Sequence, residues 1–126
     1  MIFPAGTALN RLAKTCDICL NMISEYQRNR NVDLLLDVAW LYVYGIEKSL
    51  EKWNWNPFTA KIIVPNHPEI GRVPIDTVIT IIAIQLYTLG EMAGIKEQID
   101  EILNDDSTFL HNSCRISEKL KEKLKP

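Results

Sequence analysis

No other window of the chain constrains its fold as tightly as Val73 to Ile95, VPIDTVITIIAIQLYTLGEMAGI, which joins a start signal, a long apolar run and a stop signal. Proline loses nothing in a first helical turn, and an aspartate there accepts orphan amide protons and suits the dipole, so Pro74 or Asp76 opens a helix. Gly94 closes it, as glycine commonly does just past a helix C-terminus. Between them Val78, Ile79, Ile81, Ile82, Ile84, Leu86, Tyr87 and Leu89 leave Thr77, Thr80, Gln85 and Thr88 as the polar surface. That pattern predicts a helix buried nearly all round. The β-branched run Val78 to Ile82 suits a strand equally well, but strands seldom exceed about eight residues, so length favours the helix. A bilayer span needs roughly 20 apolar residues, and Asp76, Gln85 and Glu91 interrupt this run. The expectation is a core helix, not an anchor.

Two further helices follow from periodicity. From Thr7 to Tyr26, Leu9, Leu12, Cys16, Cys19, Leu20, Ile23 and Tyr26 recur mostly at three- and four-residue steps, the mark of an amphipathic helix. Arg11, Lys14, Asp17, Asn21 and Glu25 occupy the rest of its surface, and the QRNRN segment beyond it reads as a loop. Asn31 can then cap a helix from Val32 to about Trp53, VDLLLDVAWLYVYGIEKSLEKW, apolar on nearly every face of its first three turns. Gly45 in its middle costs about 1 kcal/mol against alanine, which points to close approach of a neighbouring helix or to a local bend. Two helices this apolar ask for more cover than a chain of 126 residues readily supplies. Leu34, Leu41, Tyr42, Tyr44 and Tyr87 are therefore candidates to face another protein chain, the plainer reading being that the other helices cover them.

Between the apolar helices, NWNPFTAKIIVPNHPEIGR holds three Asn, three Pro and one Gly, which break any helix. Thr59 to Val64 can form a short strand and Gly71 to Pro74 its return partner, a single small hairpin at most. Past Gly94, Ile95 to Leu103 reads as a short acidic helix, and Ser107 can cap a helical turn through Phe109 and Leu110. The final RISEKLKEKLKP spaces Ile116, Leu120 and Leu124 four apart with lysines on both sides. The whole is a single-domain, mainly α helical bundle over residues 1–126, with at most one small β-hairpin between the two apolar helices.

Composition narrows the functional classes. A net charge of −2 and a pI near 5.7 argue against a surface that is basic throughout, though a local basic face remains open. The start, MIFPAGTALNRLAK, lacks the basic and apolar regions of a targeting signal, and three cysteines fit a reducing cytoplasm better than a disulfide framework.

Several residue groups invite a chemical reading. Cys16 and Cys19, with His111 and Cys114, have the spacing of a three-cysteine, one-histidine zinc site. The first pair, however, falls on the apolar stripe of a helix, where small thiols usually pack, so no metal or other cofactor is expected. Trp53, Trp55 and Phe58, with Lys52 before and Lys61 after, interleave aromatic and basic groups as a single-strand stacking platform does; tryptophans just past a helix end more often plug a core. His67 stands in a proline-flanked loop with no serine, cysteine or carboxylate at a recognisable spacing, which predicts an exposed loop histidine rather than a general base. Arg11, Lys14, Arg28 and Arg30 can line one edge of the first helix and its exit, and Lys61 and Arg72 flank the hairpin; such donors suit phosphates, although exposed basic residues are mostly plain solvation. Gly-rich phosphate loops, HExxH, GxSxG and carboxylate clusters are absent from the sequence, so an enzyme is not expected.

The amphipathic first helix, DLLLDVAWLYVYGIEKSLEKW, the KIIVPNHPEIGR hairpin and the PIDTVITIIAIQLYTLGEMAGI helix together resemble the small subunit of archaeal type I-A CRISPR effector complexes. The likeness is one of layout over most of the chain, carried by no invariant motif. It implies a helical, non-enzymatic protein, present in several copies beside other effector subunits. Such a subunit helps hold target DNA or the displaced strand while the crRNA supplies sequence specificity. On that reading Arg11, Lys14, Arg28, Arg30, Lys61 and Arg72 are the backbone contacts. The alternative is a protein-only adaptor or oligomeric scaffold that never touches nucleic acid.

Overall fold

The computed structural model describes residues 5–104. Helix α1 runs Ala5–Asn29, α2 runs Val32–Leu41, and a π-helical turn over Tyr42–Glu47 joins α2 to α3, Lys48–Trp53. These last three form one continuous rod. A two-stranded hairpin, β1 Lys61–Ile63 and β2 Arg72–Pro74, precedes α4, Ile75–Met92, and the short α5, Lys96–Leu103. The protein is thus mainly α with one small antiparallel hairpin between its two apolar helices, the architecture that the sequence patterning predicts.

The terminators explain most boundaries. The α1 helix continues past Tyr26 through Gln27–Asn29, because polar residues on a solvent-facing last turn need no core and Glu25 there pairs with Arg28 and accepts a hydrogen bond from Asn29. The QRNRN segment is therefore helical to Asn29, not a loop from Gln27. Arg30, at φ 59°, ends it, its N–H donating to the Tyr26 carbonyl at 2.7 Å. Asn31 caps α2 as expected, its side chain accepting from the Asp33 N–H at 3.1 Å. Asn54 closes α3 in the left-handed region, and Gly94, at φ 75°, follows α4.

The core lies where α1, the rod and α4 meet. Leu12, Cys16, Cys19 and Ile23 from α1 pack with Leu35, Val38, Tyr42 and Ile46 from the rod and with Val78, Ile79, Ile82 and Leu86 from α4, while Ile99 and Leu103 of α5 close one end. The α4 helix is a core element, yet it is not buried all round: Thr77, Ile84 and Thr88 stay exposed, because α1, the rod and α5 cover one side of it only. The hairpin pairs Lys61 with Pro74, Ile62 with Val73 and Ile63 with Arg72. Ile62 is buried, and the alternation puts Lys61, Ile63 and Arg72 together on the outer face.

Candidate functional site

The basic residues do not converge. Arg11 and Lys14 are exposed on the first turns of α1, whereas Arg28 and Arg30 lie at its far end, about 21 Å along the axis from Lys14 at ~1.5 Å per residue. Asp17 and Glu25 interrupt the line. Local contacts draw in the far pair: Arg28 pairs with Glu25, and the Arg30 guanidinium lies 5.6 Å from the centre of the Tyr26 ring. Lys61 and Arg72 are exposed on the outer face of the hairpin beside Ile63.

The two tryptophans at the end of the rod do converge. Left-handed Asn54 turns the chain back on itself, so Trp55 lies against Trp53 with ring centres 5.9 Å apart and planes within 13°. Asn56 Oδ1 accepts the Phe58 N–H at 2.9 Å, and the Asn56 carbonyl accepts from Thr59 and Ala60, a local turn that holds Phe58 outward. Trp55 packs partly against the core as a plug, but Trp53 is 36% exposed, so the tryptophan pair is a surface ledge as well as a stopper; Phe58, 46% exposed, lies three residues further on. The Lys52 ammonium lies 5.8 Å from the Trp53 ring centre. The plug reading fails for Trp53 because the left-handed residue reverses the chain before the second tryptophan, leaving the first outside.

His67 is docked rather than exposed. Its Nδ1 is 3.3 Å from Glu69 Oε1 and its Nε2 3.3 Å from Asn21 Oδ1, with Asp17 Oδ1 at 3.7 Å. Asp17, itself buried, accepts from the Asn66 N–H at 3.2 Å and from Asn66 Nδ2 at 2.7 Å. One carboxylate, Asp17, is thus brought in from 50 residues away in α1, beside Glu69 of the loop itself, and the group ties the hairpin loop to that helix. Serine and cysteine side chains do not enter this hydrogen-bonded group among the described residues.

Cys16 and Cys19 are both fully buried in the core. Burial pushes the Cys19 thiol up to about 12, and burial together with the neighbouring Cys19 pushes Cys16 higher still. His111 and Cys114, like Ser107 and the Ile116, Leu120 and Leu124 stripe, lie outside the described residues.

Of the residues expected to face another chain, Leu34 and Leu41 are half-buried and Tyr44 is exposed. Tyr42, at the start of the π turn that packs on α1, is only 1% exposed and belongs to the core. Tyr87 also turns inward: its hydroxyl is buried and has no hydrogen-bond partner among the described residues, and burial, with Asp100 and Glu47 nearby, holds the phenol well above its usual range. The sequence reading missed Trp40, which is 44% exposed and stacks on Tyr44 with ring centres 5.0 Å apart and planes within 18°. Its position four residues before Tyr44 was the available signal.

Comparison with protein-family models, curated proteins and solved structures finds no match.

Proposed function

We propose that the chain is a non-catalytic, cytoplasmic small subunit of a crRNA-guided CRISPR effector complex, present in several copies and holding the target or displaced DNA strand without reading its sequence. The observation that carries this reading is the stacked Trp53–Trp55 pair beside Lys52, with Phe58 exposed three residues further along the chain. Stacking on exposed rings is tolerant of sequence, and a flexible lysine over the ring is the group that an incoming base would displace toward its own phosphate. Arg11, Lys14, Arg28, Arg30, Lys61 and Arg72 supply further backbone contacts from separate parts of the surface, those already in local contacts exchanging them for phosphate. The negative net charge makes the isolated chain a weak binder whose site is completed in the assembly. No cofactor or small-molecule substrate enters this role.

A protein-only adaptor is the second reading, favoured by the exposed Trp40–Tyr44 pair on the rod. Purification of the native protein from its own cells, with identification of the proteins and RNA that accompany it, separates the two. Effector subunits and crRNA are expected; their absence overturns the first reading. In the recovered complex, reversing the charges of Arg11, Lys14, Arg28 and Arg30, or replacing Trp53 and Phe58 by alanine, is expected to reduce DNA retention. Retention unchanged by either set removes the strand-holding role.

A further inference from the structure

The uncovered side of α4 presents no charge to solvent. The other long elements do: Arg11 and Lys14 on α1, Asp33 and Asp37 on the rod, Lys96, Glu97 and Glu101 on α5 are all exposed. From Thr77 to Gly90, however, there is no acidic or basic side chain. The outward stripe of α4 is Thr77, Ile81, Ile84 and Thr88, all exposed except the half-buried Ile81. Steps of four, three and four residues keep these side chains within about 60° of one another round the helix. Both the steps and the residue types read the same from either end. Beyond the two ends stand the most exposed large apolar residues of the described chain. Met92, 76% exposed, closes α4, and Ile63, 56% exposed, lies on the strand paired with β2, which runs straight into α4. The hairpin and α4 both pack on α1, with Ile62 buried, so Ile63 on the opposite face points away from α1, as the stripe does.

We propose that two copies of the chain meet on this face, their α4 helices packing antiparallel about a two-fold axis between Ile81 and Ile84. Thr77 of one copy then lies against Thr88 of the other and Ile81 against Ile84, each contact made twice. Alternating four- and three-residue steps are those of a helix seam whose side chains interdigitate. The ends fix the direction. Glu91 continues the stripe three residues past Thr88, so a parallel pair would set this exposed carboxylate against its own copy. Antiparallel packing sends Glu91 and Met92 instead to the hairpin end of the partner helix, where Met92 meets Ile63. A charged partner would find no counter-charge on the stripe, whereas a second copy brings an equally uncharged surface of the same length. From Thr77 to Met92 the seam is roughly 24 Å at ~1.5 Å per residue, the small end of stable interfaces, so the dimer is reversible. Being apolar, it persists in salt. This contact uses none of the residues given to DNA above, does not rest on that reading, and holds equally for an adaptor.

Sedimentation of the full chain from about 1 to 300 μM, at low salt and at about 1 M, tests it. The mass is expected to rise with concentration from 14.5 kDa toward twice that value, undiminished by salt. Ile84→Glu, at a position 43% exposed, should weaken association at least ~10-fold. Two double variants test the register. Thr77→Lys with Thr88→Glu in one chain should strengthen the dimer, because each lysine then faces a glutamate of the other copy, while Thr77→Lys with Thr88→Lys should abolish it. Parallel packing would weaken both. Thr77 and Thr88 are exposed, so these variants leave the core in place and decide the matter independently of Ile84; circular dichroism checks that each folds. A wild-type chain monomeric throughout, a dimer indifferent to Ile84→Glu, or two double variants that behave alike would each overturn the proposal. So would a monomer that floats with phosphatidylcholine vesicles, since the stripe would then belong to a lipid surface.

Discussion

Gly45 of the π turn lies so close to Thr15 of α1 that a Cβ on it would stand 2.8 Å from Thr15 Cγ2. Two helices meet there with no room for a methyl group, and the turn widens at the contact. The Gly45 carbonyl is taken up by Ser49 Oγ at 2.7 Å. Of the close approach or local bend anticipated from a mid-helix glycine, the close approach is what the structure shows, and the π turn falls at the same place.

Replacing Gly45 by alanine is expected to destabilise the protein by about 1–2 kcal/mol, because overpacking against a stiff β-branched side chain outweighs the ~1 kcal/mol gained in helix propensity. Thr15→Ser removes Cγ2 while keeping the hydroxyl that donates to the Arg11 carbonyl. The double variant should recover most of the loss in urea unfolding. Equal stability of Gly45→Ala and wild type would mean that the helices can part at no cost.

Asp17→Ala should cost roughly 2–3 kcal/mol, since it leaves both Asn66 donors without their charged acceptor in a part-buried site. Amide hydrogen exchange should quicken at Asn66 and His67 more than in α4. Uniform quickening would show that Asp17 supports the whole core and not the loop.

The buried thiols make stability fall in alkali. A thiol whose folded pKa is raised keeps its proton while the unfolded chain begins to lose it, so the unfolded state gains from the ordinary value of 9.0 upward. For each of Cys16 and Cys19 the loss approaches about 1.4 kcal/mol per pH unit between pH 9 and, for Cys19, about 12. Denaturant unfolding under reducing conditions at pH 8 to 10.5 measures the slope, and Cys19→Ala should flatten it. Neither thiol should react with a disulfide reagent in the folded protein at pH 8; rapid modification of either would contradict their burial.

Tyr87→Phe is expected to be neutral or stabilising by up to ~1 kcal/mol, because it removes a buried hydroxyl with no partner among the described residues. A loss above ~1 kcal/mol would reveal a hydrogen bond to a group beyond them.

The nucleic-acid reading was legible only as residue types. Trp53, Trp55 and Phe58 stand close in sequence, and the stacking of the two tryptophans needed one left-handed residue, Asn54, between them. The basic residues also stand out in the sequence, but their separation along a 25-residue helix and their local pairing do not.

By itself the sequence determined what is local. Asn31 and Gly94 mark helix ends, the four-residue steps of α1 mark its core face, and the prolines and glycine between the apolar helices leave room for one hairpin, because caps, propensity and periodicity act over a few residues. Only the tertiary structure decided which side of an apolar helix meets solvent. Tyr42 and Tyr44 are two residues apart and similar in chemistry, yet one is core and the other surface. The contact of Gly45 with Thr15 and the covering of α4 by α1, the rod and α5 depend on residues distant in sequence, as does the docking of His67 on Asn21 and Asp17. Burial is a property of neighbours, and neighbours exist only once the chain has folded.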